Sequence, residues 1–521
     1  MDGGADPRRI RACRRPRNGG GARGGGDPDL KRAAVAIVAG ALAVRAPIRP
    51  PAPPLPVPVR PRPAQRFAWP QFGFDAAHSG VNPFERSLGR ANAARLRRRF
   101  RAALPSVADG APAYLSEVPA GDGTLDILFV CTKDGRLDAV DAATGAVQWE
   151  RQPAAGPRYT TSSPAIDPSW TRVYAYGLDG FVHRYRVEDG AEESGDGWPQ
   201  LATRKPDVEK GSSALAIATD RAGRSFLYAA NGGYPGDAGD YQGHVTAIDL
   251  ASGAQRVFNA ACSSRPVHFD ETGNAATDCA HVQSAMWARA GAVYSAAADR
   301  VFVATGNGDF DGVENWGDSV LAIAPDASAL LDSYTPPEFQ HLQDVDADLG
   351  SSDVCLFRPS SGANLGVEVG KDGVLRVLRV DDLSGAGGPG HLGGELQKIG
   401  APGGQEVLTL VVSAPDSAGG EPWIFVANDA GVSGYQWDAG AAALVLRWTV
   451  APGASSPVFA GGLLFVARSG LIRALDPSTG DTVWSDSEIG GIHWQTPIVA
   501  KGNVYIEDEA GFLTAYSVDG K

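Results

Sequence analysis

The sequence contains no Cys-x-x-Cys pair and no Cys-x-x-Cys-His, which removes zinc-ribbon chemistry and covalent haem attachment. It also lacks a Gly-x-Ser-x-Gly elbow, a Walker phosphate loop and a His-Glu-x-x-His helix, so the hydrolase, nucleotide-binding and zincin motifs are missing. Long apolar runs are missing too. The best candidate, Ala33 to Val44, is too short to span a bilayer. Cysteine is scarce, with five in 521 residues. Cys262 and Cys279 share one polar loop segment, where a bridge is expected in an oxidising compartment, whereas Cys131 and Cys355 sit in apolar strand-like runs that suit buried thiols.

What is abundant is glycine, 66 residues, and proline, 37. The charge is unevenly placed. Residues 1–66 carry 14 Lys+Arg against 4 Asp+Glu, a balance of +10, which against −13 for the whole chain leaves −23 for the remainder. An acidic surface of that size repels phosphate backbones and anionic membranes, so nucleic acid is not an expected partner. The basic excess belongs to a leader. Lys31-Arg32 precede the apolar run, and Ala41-Leu42-Ala43 has the small-x-small pattern of a signal cleavage site. Residues 1–45 therefore read as a basic leader with a signal-like segment that would take Cys13 with it, and 46–66 as a proline-rich linker. The expected address is export, periplasmic or extracellular.

From residue 67 onward the chain repeats itself. Each unit has a β-branched strand, a glycine turn, a second strand ending in Ala-x-Asp, then Thr/Ser-Gly and often tryptophan. The clearest copy runs from Leu128 to Glu150, with Asp134-Gly135, Ala139-Val140-Asp141, Thr144-Gly145 and Trp149, and Leu464 to Trp484 repeats it. Weaker copies lie at Val173 to Trp198, Leu227 to Phe258, Val301 to Tyr334, Val367 to Leu396 and Ile424 to Trp448, and an incomplete one at Val504 to Tyr516. Asp-Gly and Ser-Gly permit tight hairpins, and alternation along each strand buries one of its faces between neighbouring blades. The expectation is an all-β, eight-bladed β-propeller over 67–521 with four-stranded antiparallel blades, its last blade completed by an N-terminal strand at Leu96 to Arg101 that closes the circle.

Trp69-Pro70-Gln71-Phe72-Gly73, His78-Ser79-Gly80 and the Ala-x-Asp-x-x-Thr-Gly-x-x-x-Trp unit resemble the pyrroloquinoline-quinone (PQQ) propeller family, the quinoprotein alcohol dehydrogenase-like repeat. Thr161-Ser162-Ser163-Pro164, Gly306-Asn307 and Asp346-Ala347-Asp348-Leu349-Gly350-Ser351-Ser352 resemble its polyvinyl-alcohol-dehydrogenase-like branch. The resemblance implies PQQ on the propeller axis, with calcium as Lewis acid and a carboxylate base. Trp287 then matches the tryptophan beneath the quinone ring and Lys371 the cation that hydrogen-bonds its oxygens. Asn307 matches the amide ligand of calcium, and Asp346, in His341-Leu342-Gln343-Asp344-Val345-Asp346, the base. Each has a bland alternative: a blade-packing tryptophan, an exposed hairpin lysine, or a turn asparagine between two glycines.

Two features depart from the family. Its acidic calcium ligand falls near Ala238, so Asp237 or Asp240 would have to substitute, and the tryptophan of the base motif is absent. Arg158 to Ser163 stand where many quinoproteins carry adjacent cysteines. An EF-hand reading of Asp344, Asp346 and Asp348 fails, because glycine comes one place late at Gly350 and the twelfth position is Cys355. Two functions follow. The first is a non-catalytic or degenerate propeller that binds a partner protein or a polymer or small-alcohol ligand. The alternative is a PQQ- and calcium-dependent alcohol dehydrogenase passing electrons to a separate carrier.

Overall fold

The fold comes from a computed structural model, in which residues 66–521 are described apart from 153–157, 235 and 275. The leader at 1–45 and the linker, except Arg66, lie outside the described residues. No helix among the described residues is long and apolar enough to cross a membrane.

Eight sheets follow one another along the chain, antiparallel throughout except where Val81–Asn82 joins one of them in parallel. Their first strands are Ala113–Ala120, Ala165–Ile166, Ala216–Thr219, Val293–Ser295, Cys355–Phe357, Val412–Ala414, Val458–Ala460 and Ile498–Ala500, which number blades 1 to 8. First strands of adjacent blades meet around one axis, visibly so for blades 2 and 3 and for 5 through 8. The protein is an eight-bladed β-propeller. Three sheets have a fifth strand where four were expected: Ala68–Trp69 on blade 1, Glu209–Lys210 on blade 3 and Val81–Asn82 on blade 7. In blade 8, Leu96–Ala103 pairs antiparallel with Phe512–Val518 as the outer strand.

The repeat motif has a physical cause in every part. In blade 1 the Asp141 carboxylate accepts hydrogen bonds from the backbone N–H of Ala143 at 2.7 Å and the hydroxyl of Thr144 at 2.9 Å, which ties the turn before the outer strand. Gly145 follows with φ +79°, and a Cβ there would stand 2.5 Å from the Cβ of Ala102 in blade 8, so the position demands glycine twice over. The tryptophan then staples blades together. Trp149 Nε1 donates to the carbonyl of Val187 in blade 2 at 3.2 Å, Trp448 of blade 6 to Pro477 of blade 7 at 3.0 Å, and Trp484 of blade 7 to Leu96 of blade 8 at 3.0 Å.

The segment from Trp69 to Asn82 crosses beneath the axis. Trp69 pairs with Tyr114 of blade 1, the Pro70 carbonyl accepts from Ile166 of blade 2, and Gln71 Oε1 accepts from Ile217 of blade 3. Ala76 accepts from Tyr294 of blade 4, and Val81 pairs with Phe459 of blade 7. Trp69, Phe72 and Phe74 are buried along this path. The strap thus plugs one end of the channel with apolar side chains and leaves the other end open.

Cys262 and Cys279 form a disulfide in the long connection between blades 3 and 4. The bridge closes a 17-residue separation, so replacing both cysteines with serine is expected to cost about 2–4 kcal/mol. Urea denaturation of the double variant checks this, and an unchanged midpoint would show that the connection unfolds independently of the propeller.

Candidate functional site

At the open end of the axis lies a cavity of about 260 Å³ lined from five blades. The chain reaches it by two kinds of loop, those leading into first strands and those between second and third strands. The first kind brings Tyr159, Thr161, Trp287, Arg289, Asp348, His493 and Trp494, and the second brings Gly236, Asp237 and Lys371. A larger cavity of about 590 Å³ opens at the opposite end, but its lining is dominated by alanine, proline and aromatic residues and gathers no acid–base cluster.

Trp287, Lys371 and Asp237 line the hub cavity. Lys371 Nζ lies 5.6 Å from the centre of the Trp287 ring. It also contacts the carboxylate of Asp348 and, at 3.2 Å, that of Asp346. Asn307 stands directly behind: its backbone N–H donates to Asp348 at 2.7 Å and its Nδ2 to Asp346 at 3.0 Å. Asn307 and Asp346 do not line the cavity themselves, but they touch the residues that do. The structure therefore gathers Trp287, Asn307, Asp346, Lys371 and Asp237 into one neighbourhood. Asp240 is turned elsewhere, accepting from Gln242 Nε2 at 2.9 Å and lying 3.8 Å from Lys205 Nζ.

The two aspartates beside Lys371 differ sharply. The Asp346 side chain is 69% exposed at the rim, while that of Asp348 is 4% exposed within the cavity. Burial pushes the Asp348 carboxyl above its ordinary value, with Lys371 opposing. Beneath them Asp318 is pushed up to about 8 by burial, and it accepts the backbone N–H of Leu349 at 3.0 Å, anchoring the Asp348 loop. Gly306 is needed here for room, since a Cβ would fall 2.2 Å from Asp348 Oδ1.

Arg289, Lys210 and Asp109 escaped the sequence reading, whereas His493 beside Trp494 was a candidate to face the axis. Arg289 is buried, with its guanidinium donating to the carbonyls of Thr161 at 3.0 Å, Ser212 at 3.0 Å and Asp109 at 3.2 Å. Lys210 lies 4.2 Å from the centre of the Tyr159 ring, and burial together with the nearby Arg289 charge holds its amine down to about 8. On the far wall, Asp109 accepts from the backbone N–H of Trp494 at 3.0 Å and pairs with His493 Nδ1 at 2.9 Å. Burial pushes Asp109 up, yet the His493 bond and the charges of Arg289, His493 and Lys133 outweigh it and hold the acid at about 2. Arg289 and Lys210 carry no local motif; only the topology brings them to the axis.

A family model described as outer membrane protein assembly factor BamB, built on PQQ-type repeats, matches residues 97–307 and 396–521. The chain belongs to this PQQ-type repeat family. Solved PQQ-type propellers are similar in shape. Quinohemoprotein alcohol dehydrogenase from Comamonas testosteroni aligns with TM-score 0.61 at 16% identity over 87% of this chain and 81% of its own. A quinohemoprotein alcohol dehydrogenase from Pseudomonas putida HK5 aligns with TM-score 0.61 at 13% identity over 87% and 80%. A europium-containing methanol dehydrogenase aligns with TM-score 0.60 at 15% identity over 84% and 89%. No curated protein sequence matches this PQQ-type chain significantly. The chain is thus a PQQ-type repeat propeller that shares its fold with these dehydrogenases.

Proposed function

We propose that the hub cavity binds pyrroloquinoline quinone together with a divalent cation such as calcium, and that the protein is an exported alcohol dehydrogenase. The observation that carries this reading is the meeting of Trp287, Lys371, Asp348, Asp237 and Asn307 around one axial cavity. The residues fit the group. Asn307 Oδ1 is buried without a hydrogen-bond partner among the described residues, an orphaned hard oxygen of the kind a cation satisfies. Asp237, which lines the hub cavity, would supply a carboxylate to the same cation. Trp287 offers a ring face, and Arg289 and Lys210 supply positive charge for carboxylates. Bound there, the quinone would supply a two-electron acceptor and the cation a Lewis acid.

The chain's own residues then divide the remaining work. Asp348, enclosed in the cavity, is better placed than the exposed Asp346 to take the proton of an alcohol hydroxyl. Lys371 holds the Asp348 carboxylate in place and keeps positive charge where negative charge develops. The strap with Phe72 and the buried Arg289 closes the cavity from below, so an alcohol must arrive from the open face. Electrons leave to a separate carrier. The signal-like segment and the Cys262–Cys279 bridge support an oxidising compartment.

Titration of the purified protein with PQQ, followed by tryptophan fluorescence with calcium and then with EDTA, tests the reading. Saturable binding at micromolar concentration or tighter is expected, and Asn307→Leu should weaken it by about 10- to 100-fold by removing the orphaned oxygen. Absence of quinone binding would leave the second reading, a partner-binding propeller, which the assembly-factor description of the matching family model favours.

A further inference from the structure

Lys210 lines the hub cavity between blades 2 and 3, and the quinone reading uses it only as a charge. Other lysines held against the folded core meet carboxylates: Lys133 pairs with Asp109 and Glu509, Lys205 with Glu209, and Lys371 with Asp348. Lys210 is partly buried and pairs with none among the described residues. Its Nζ is boxed instead by the rings of Tyr159 and Tyr234, whose centres lie 4.2 Å and 5.4 Å away. We infer that Lys210 is a nucleophilic amine that condenses with a small carbonyl compound bearing a carboxylate, a 2-oxo acid, to form an imine in the hub. The condensation requires no quinone in the cavity and does not rest on the reading above.

Desolvation and a neighbouring cation both favour the neutral, nucleophilic form of an amine. Arg289 is that cation: its Nη1 donates to the Ser212 carbonyl at 3.0 Å, two residues along from Lys210. Burial and the charges of Arg289 and Lys133 hold the amine down to about 8, against the opposing charge of Asp109. In the condensation the nitrogen lone pair attacks the carbonyl carbon, and the carbonyl oxygen takes up the proton that the nitrogen sheds. The oxygen then leaves as water with the second amine proton as the C=N bond forms, so no oxidant or reductant is consumed.

The same corner selects the carboxylate. Arg158 lies over the Tyr234 ring at 4.6 Å from its centre, so Arg158, Lys210 and Arg289 gather positive charge in an otherwise acidic protein. None of the three forms an ion pair with a carboxylate among the described residues, and Nε of both arginines is buried without a hydrogen-bond partner there. Cations that the fold leaves without an ion-pair partner are stabilised by an anion that enters. A carbonyl compound without charge gains nothing from them.

Incubating the full chain with glyoxylate and cyanoborohydride, which traps an imine as a stable secondary amine, and locating the adduct by peptide mass spectrometry tests the inference. At pH 8 about half of the Lys210 amine is neutral, against under about 1% for an ordinary lysine. Labelling of Lys210 is therefore expected to run at least tenfold faster than that of the exposed Lys521, and to level off above about pH 8 while that of Lys521 keeps rising. The ratio of Lys210 to Lys521 labelling should be higher with glyoxylate than with uncharged propanal, and Arg158→Gln should lower it for glyoxylate alone. Labelling of Lys210 no faster than of Lys521 overturns the inference, and an equal ratio for the two probes overturns the choice of an oxo acid. Labelling that saturating PQQ and calcium fail to block would instead sink the quinone reading and leave the reactive amine standing.

Discussion

Replacing Asp348 with asparagine is expected to lower alcohol-dependent dye reduction by about 10²–10⁴-fold in the presence of PQQ and calcium. The corresponding Asp346→Asn variant should stay within about threefold of wild type, as expected for a rim carboxylate that does not meet substrate. The two residues share a partner, Lys371, and stand two apart in sequence, so the contrast isolates position. Asp348 lies in the cavity beside Trp287, whereas Asp346 faces solvent. Asparagine keeps an acceptor oxygen for the N–H of Asn307, so the loop should retain its shape, but the amide cannot take a proton. Steady-state rates with a soluble dye and a primary alcohol, with PQQ affinity measured in parallel, decide the matter. Equal losses in both variants, or a full rate in Asp348→Asn, would return the base to Asp346 or remove it from this loop.

The second large effect concerns stability and pH. Glu507, on the second strand of blade 8, is buried with Oε1 lacking any partner among the described residues, and burial pushes its carboxyl up to about 8, with the Asp109 charge adding to the rise. The folded state therefore binds this proton more tightly than the unfolded chain. Its stabilising contribution is complete below the ordinary glutamate range and is lost as the pH rises through about 8. Each tenfold difference in proton affinity between the folded and unfolded chain is worth about 1.4 kcal/mol, so the loss is on the order of 5 kcal/mol. Asp138, raised to about 7 by burial, acts in the same direction. Glu507→Gln keeps the shape and cannot ionise, so the variant should lose much less stability between pH 5 and pH 9 and exceed wild type at the alkaline end. Urea denaturation at pH 5, 7 and 9 measures it. Parallel slopes for the two proteins would mean that Glu507 gains a proton-independent partner, such as water.

The blade architecture was legible because its determinants are local. An aspartate that ties its own turn, a glycine at positive φ and a tryptophan reaching the next blade recur within short stretches, as at Asp141, Gly145 and Trp149. The disulfide, too, joins cysteines of one loop. Trp287, Lys371 and Asn307 were legible only through their resemblance to a family motif, and the Asp344-Val345-Asp346-Ala347-Asp348 stretch offered no reason to prefer one carboxylate over another. Burial made the choice, and burial depends on the ring.

By itself the sequence determined an eight-unit β-propeller of PQQ type, because repeating turn chemistry and alternating strands admit no other economical packing. Only the tertiary structure decided that Trp69 to Asn82 plugs one end of the axis, that Arg289, Lys210 and the Asp109–His493 pair meet at the other, and that Asp348 rather than Asp346 is enclosed. The reason is physical. Those contacts join residues far apart in sequence, such as Asp109 and His493, and they exist only once the blades have been arranged around one centre.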